Sequence, residues 1–327
     1  MEDAPMTGNG RAPRTEHSKG LLYGIAAYGL WGVLPLYFLL LAPTGAFEIV
    51  AWRVLFSLVF CAIVIAATGA KDAMWALLRK PRTVLTMGLA GALIYVNWQT
   101  YVVAATTGHV VEAALGYFIN PIVTVLLGVL VLRERLRPAQ WAAVGMALAA
   151  VVVLTVAYGA LPWIAVILAL SFGGYGLIKK RVGDDVDALT GLTLETAWLV
   201  PVAIIQLIVV ALTSGLTFGT VSPLHTIGLL AAGVVTAVPL LLFASAARRL
   251  PLSVIGLLQF LTPVMQFLVG VFLLHEPMPP ERWIGFGLVW IALVMFAVDM
   301  IVSGRPPRTR SVSARTVAPA ESAGDPQ

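Results

Sequence analysis

Ten predominantly apolar runs follow one another along this chain, and each approaches the roughly 20 residues that a helix needs to cross a bilayer. They are Gly20–Leu40, Phe47–Ala67, Val84–Ala105, Val110–Leu132, Ala139–Ala157, Leu161–Ile178, Ala188–Leu212, Leu224–Ala246, Leu252–Leu274 and Arg282–Ile301. Most are separated by short connections, which leaves no stretch for a soluble domain. Backbone in lipid must satisfy its own hydrogen bonds, so runs of this length are expected to be helices. Charge supports the same reading. Only 11% of residues are Asp, Glu, Lys or Arg, against about 25% in an ordinary soluble domain. The expected fold class is all-α integral membrane, and a soluble protein is excluded.

The basic residues orient the runs. Nineteen of the 21 Lys and Arg fall in the two tails and in the second, fourth, sixth and eighth connections, all on the side of the N-terminus. The other side receives Arg282, and Arg53 lies within the second run. By the positive-inside rule both termini are cytoplasmic. The net charge of +5 is therefore an orientation signal, and no nucleic-acid partner is expected. The first run is longer than the apolar core of a signal peptide and precedes no small-residue cleavage motif, so it is expected to be retained.

A repeat lies under the pattern. Shifted by 142 residues, Leu115 meets Leu257, Phe118 meets Phe260, Pro121 meets Pro263 and Gly128 meets Gly270. Glu134 meets Glu276, Pro138 meets Pro280, Trp141 meets Trp283, and upstream Gly91 meets Gly233. Each half holds five runs. Five is odd, so the second half enters the membrane from the opposite side. Inverted repeats of this kind characterise secondary transporters, in which the solute binds near the midplane between the halves. The expected organisation is a cytoplasmic tail over 1–18, five-helix repeats over 19–158 and 159–303, and a second tail over 304–327. Glu134 and Glu276 are read as fixing a loop beside the next helix. The connection around Met74, Trp75, Leu77 and Leu78 is read as a short interfacial helix.

Several motifs carry a further likeness. They are Tyr28-x-x-Trp31-Gly32-x-x-Pro35-x-Tyr37, Glu48 followed by Arg53, Asn97-Trp98, Gly108-His109-x-x-Glu112 running on to Tyr117-Phe118-Ile119-Asn120-Pro121, Tyr175-Gly176-Leu177, Glu195-Thr196, and Leu258-Gln259-Phe260 with Pro263. With these motifs the chain resembles the drug/metabolite transporter superfamily, with two EamA-type halves, and within it the RarD-type group labelled chloramphenicol-sensitive. The resemblance covers about residues 19 to 303. It implies a ten-helix transporter of small metabolites or drugs in a bacterial-type plasma membrane, with export as the direction. Trp52 and Leu39 depart from the group's pattern, which often has a histidine and a basic residue there. That departure bears on specificity.

Polar side chains within apolar runs are costly and are candidates for function. Arg53 is foremost, because arginine keeps its charge and offers a planar fork to carboxylate or phosphate. It is either the anion anchor of a substrate cavity or half of a structural ion pair. Glu48 lies about 140° away around the same helix, so Glu112 on the fourth run is the expected partner. Glu195, deep in the seventh run, is the proton-coupling candidate, since burial favours the protonated carboxyl; otherwise it is a carboxyl hydrogen-bonded between helices. Asn97, Asn120 and Gln259 are read as cavity lining or interhelical glue, with Gln266 on the face of Gln259. Trp31 and Tyr117 are the aromatic candidates for the cavity. The other aromatics are read as interfacial belts.

The expected function is a secondary transporter working by alternating access. Its partners would be a small molecule and the lipid bilayer, with a homodimer left open as the assembly. An uncoupled facilitator or channel is the alternative. An intramembrane enzyme would need His, Asp or Glu clustered at one depth, and the chain has no such cluster. The histidines at 17, 109, 225 and 275 form no HExxH or His-x-His, and Cys61 is alone, so neither metal nor cofactor is expected.

Overall fold

Proline and glycine decide where the helices bend and stop. The computed structural model describes residues 13–132, 138–158, 161–182, 186–247, 249 and 258–303. Glu134, residues 1–12 and the tail over 304–327 lie outside the described residues. Helix α1 (Pro13–Gly32) starts within the stretch 1–18 that composition marks as a tail. Helix α2 (Leu34–Leu40) carries Pro35 in its first turn. The two axes differ by 43°. Pro35 has no N–H to offer the Trp31 carbonyl one turn back, and its ring crowds that carbonyl. The freed carbonyl accepts instead from Gln266 Nε2 at 3.2 Å. The first apolar run is thus a bent pair of helices.

Helix α3 (Ala46–Thr68) ends at Gly69, whose φ of +72° lets the Ala70 N–H turn back to the Ile65 carbonyl. Helix α4 (Lys71–Leu78) is the short helix expected in the second connection, with Trp75 exposed. Helices α5 (Pro81–Thr106) and α6 (Val110–Leu132) are joined by a tight turn at Gly108, which has φ +74°. There follow α7 (Pro138–Tyr158), α8 (Trp163–Val182), α9 (Ala188–Thr213), α10 (Pro223–Ala247), α11 (Leu261–Leu268) and α12 (Pro280–Ser303). Asp187 caps α9, accepting from the N–H groups of Leu189 and Thr190.

Three described helices are long and apolar enough to cross a bilayer alone: Ala46–Thr68, Ala188–Thr213 and Pro223–Phe243. The bent α1–α2 pair makes a fourth, and Val110–Asn120, Trp141–Val156, Trp163–Lys179 and Leu261–Leu273 are shorter apolar helices. The outer surface is built for lipid. Leu212 is 82% exposed, Leu40 79% and Val156 77%, a pattern that in water would drive aggregation.

The packing interleaves the two halves of the sequence. Helix α1 lies on α10 and α11, and α8 lies on α5 and α6. Helix α3 packs on α9, α10 and α5, while α7 packs on α12 and α11 on α6. Two matched glycines permit close approaches of helix backbones. A Cβ at Gly91 would stand 2.9 Å from the Glu195 carbonyl of α9, and one at Gly233 would collide with the Phe56 carbonyl of α3.

Glu276 departs from its expected role. After α11 the chain widens into a π-helical turn over Val269–Leu273, and His275 takes φ +53°. This aims Glu276 at the start of α6, where its carboxylate accepts from the N–H groups of Val110 (2.6 Å) and Val111 (2.9 Å). The first N–H groups of a helix have no partners of their own and carry its positive dipole end. Glu276 therefore caps a helix of the other half; it does not simply hold the loop next to its own following helix.

Gly233→Ala should lower the thermal stability of the purified protein in detergent by about 1–3 kcal/mol, because α3 and α10 must part. Gly145→Ala, with nothing within 4 Å of the new methyl, should leave it unchanged or slightly raised.

Candidate functional site

The packing of α3 against α10 and α5 buries a charge. Arg53 is only 5% exposed. Its Nε donates to Thr236 Oγ1 on α10 at 2.8 Å, and Thr236 passes its own hydrogen to the Ala232 carbonyl. The guanidinium carbon lies 4.3 Å from the ring centroid of Trp98 on α5 and 5.8 Å from that of Phe38 on α2. Such cation–π contacts offset part of the cost of taking the charge out of water. Nη1 is buried and has no hydrogen-bond partner among the described residues.

Around Arg53 the candidates fall into two groups. Asn97, buried on α5, donates to the Leu168 carbonyl and Ser171 Oγ on α8, both at 3.1 Å, and accepts from the Tyr117 hydroxyl on α6 at 3.1 Å. It pins three helices together. The Tyr117 ring meets that of Tyr101 edge-on at 5.6 Å, and Tyr101 accepts from Gln266 Nε2 at 2.8 Å. Asn120 is buried on α6. Asn120 Oδ1 and Gln266 Oε1 are buried acceptors with no partner among the described residues. Trp31 reaches this network through its carbonyl, while its ring packs on Tyr28 and Phe243.

The remaining candidates stand elsewhere. Glu112 does not pair with Arg53. Its carboxylate accepts the Ile164 N–H at the start of α8 at 3.2 Å, and it lines a cavity of about 250 Å³ with His109, Trp163, Arg282 and Phe286. The reason is packing: α3 lies on α9, α10 and α5, whereas α6 lies on α8 and α11. Gln259 sits half-buried in the turn before α11, and Gln266 within α11 joins the network in its place. Glu195 on α9 is 1% exposed and accepts from Lys179 Nζ at 2.8 Å and from the Tyr175 hydroxyl at 3.2 Å, both on α8. Nothing in the sequence singles out Thr236. A lone threonine in an apolar run is commonplace, and nothing in its own neighbourhood signals a guanidinium from 183 positions away.

Chemically, Arg53 offers a cationic donor held against the faces of Trp98 and Phe38.

Residues 18–156 and 161–298 each match the EamA-like transporter family. The chain is 46% identical to "Protein RarD" of Streptomyces exfoliatus over 95% of its own length and 98% of that protein's. It is 40% identical to a Bacillus subtilis protein described as an uncharacterized transporter, YojE, over 88% of this chain and 96% of that one. It is 31% identical to "Chloramphenicol-sensitive protein RarD" of Pseudomonas aeruginosa, over 86% of this chain and 94% of that one. A solved crystal structure shares the fold with a TM-score of 0.56 at 19% identity, covering 88% of this chain and 99% of its own. A bundle of apolar helices with these relatives is a multi-pass membrane transporter of the drug/metabolite class. The chain belongs to the EamA-like transporter family.

The Lys179–Glu195 pair makes a prediction. Lys179→Met leaves a buried carboxylate without its cation and should cost on the order of 1–3 kcal/mol of thermal stability, a smaller loss than for a fully buried pair because Lys179 is 31% exposed. Adding Glu195→Gln should recover part of that loss, which a double-mutant cycle measures.

Proposed function

We propose that the protein is a secondary transporter that exports a small anionic or carboxylate-bearing solute across a bacterial-type plasma membrane by alternating access. In this reading the chain crosses the membrane ten times as two inverted five-helix halves, with both termini cytoplasmic. The 19-to-1 division of loop and tail charges supports the orientation. The packing supports the repeat. With α1 and α2 matched to α8, α3 to α9, α5 to α10, α6 to α11 and α7 to α12, the contact of α1 with α10 has its mate in that of α8 with α5. Likewise α3 with α10 is mated by α9 with α5, and α3–α9, α6–α11 and α7–α12 are their own mates. The close approaches at Gly91 and Gly233 fall on such a mated pair.

One observation carries the solute class: Arg53 is buried between the halves, held by a neutral threonine and a tryptophan face, with Nη1 unpaired among the described residues. A charge kept in a membrane interior is expected to serve ion or substrate passage. Rocking of the halves would expose it to each side in turn. The Lys179–Glu195–Tyr175 group on α8 and α9 supplies the proton-coupling candidate.

Thermal-shift screening of purified protein against small carboxylates should find ligands that stabilise the wild type. Arg53→Ala should weaken their binding by about 2 kcal/mol or more, roughly thirtyfold, and Arg53→Lys should restore only part, since a lysine lacks the fork. Equal binding by Arg53→Ala removes Arg53 from the site. In proteoliposomes a proton gradient should drive flux of the same ligand, and Glu195→Gln should uncouple it. Wild-type flux that ignores the gradient favours the facilitator.

A further inference from the structure

At the end of the bundle away from Pro13, three separate segments meet in one hydrogen-bonded chain. His225 lies in the first turn of α10, 7% exposed. Its Nε2 is 2.8 Å from Thr44 Oγ1 and 3.0 Å from the Leu41 carbonyl, both in the α2–α3 connection. Thr44 Oγ1 is 2.7 Å from Thr217 Oγ1 in the α9–α10 connection, and Thr217 Oγ1 is 3.0 Å from Glu48 Oε2 on α3. Glu48 also accepts the N–H groups of Thr217 and Phe218 and the Trp52 Nε1–H. The Phe218 ring lies against Trp52, with centroids 4.5 Å apart.

Donor and acceptor inventory assigns every hydrogen in this chain. A carbonyl only accepts, so the Leu41 contact requires a hydrogen on His225 Nε2. A carboxylate with four donors around it only accepts, so Thr217 gives its hydroxyl hydrogen to Glu48. Thr217 then accepts from Thr44, and the single Nε2–H of His225 is shared between the Leu41 carbonyl and Thr44 Oγ1. The direction runs from histidine to carboxylate without a break. One atom is left over: His225 Nδ1, buried and with no partner among the described residues.

We propose that His225 is the proton-binding group of a latch that closes this end of the bundle, and that uptake of a second proton at Nδ1 opens it. A hydrogen on Nδ1 has no acceptor among the described residues in the closed arrangement, and a buried charged donor without a partner is costly. The ring satisfies it only by turning to water, which breaks the bonds to Thr44 and Leu41. The α9–α10 connection then loses its tie to the α2–α3 connection. One proton is taken from the adjoining aqueous phase and none is released. Four other titratable or charged groups on α10's neighbouring elements have their own engagements. The Tyr37 hydroxyl donates to the Gly228 carbonyl, Arg53 is on Thr236, Glu195 is on Lys179, and Glu16 of α1 is at the opposite end with Arg249. What the latch means for transport rests on the alternating-access reading, in which this end faces away from the cytoplasm; the latch itself does not.

Hydrogen–deuterium exchange of the full-length protein in lipid nanodiscs tests the latch without any transported solute. The N–H groups of Thr217 and Phe218 report it, because Glu48 protects them only when it is closed. After correction for intrinsic exchange, peptides over 214–222 should exchange about tenfold faster or more at pH about 5 than at pH about 8, the range in which histidine changes charge. His225→Gln keeps an N–H donor for Thr44 but cannot titrate, so its exchange should stay slow at both pH values. Thr44→Val should exchange fast at both, with peptides over 110–118 still protected as proof of folding. No pH dependence in the wild type overturns the proposal. So does pH dependence that survives in His225→Gln; loss of that dependence in Glu48→Gln would then assign the proton to the carboxylate.

Discussion

Lipid offers no hydrogen bonds, and most of the polar detail of this protein answers that one constraint. Pro35 frees the Trp31 carbonyl, and Gln266 from α11 reaches across to occupy it. The first turn of α6 exposes N–H groups, and Glu276 arrives from the other half of the sequence to take two of them. Asn97 spends its amide on α8 and its carbonyl on Tyr117. Each bond is also a tie between helices, in a solvent where apolar burial alone does not hold helices together. The polar side chains therefore set the arrangement of the bundle as much as the apolar ones do.

Set against that thrift, Arg53 stands apart. Glu48, Glu112, Glu195 and Glu276 are each engaged by N–H, O–H or ammonium donors. Arg53 has no carboxylate partner among the described residues; it rests on a threonine hydroxyl and an indole face. A buried charge without an opposite partner is costly in an ordinary fold, and this is the ground on which the proposed solute site rests at Arg53.

How much of this was legible beforehand varies by residue, for physical reasons. Arg53, Asn97, Asn120 and Tyr117 stood out because a polar or charged group in an apolar run is rare and costly whatever its neighbours. The pairing of Arg53 with Glu112 failed because angular arithmetic around one helix says which face a residue occupies, not which helix lies opposite. A spacing of seven puts Gln259 and Gln266 on one face only if a single helix holds both, and α11 begins at Leu261, so the two do not share one helix face. Thr44, Thr217 and His225 lie in or beside connections, where sequence periodicity carries no signal. Their partners are more than 160 positions distant, too far for any local pattern to record.

The sequence by itself determined that this chain lives in lipid and belongs to a family of transporters. Apolar run length, scarcity of charge and motif content depend on residue type alone, and solvent preference is additive along a chain. The tertiary structure alone decided who pairs with whom: Arg53 with Thr236 and Trp98, Glu276 with α6, His225 with Thr44. Those choices depend on which helix faces which, and helix packing is settled by the shapes of surfaces that meet only once the chain has folded, as where Gly91 and Gly233 let backbones touch.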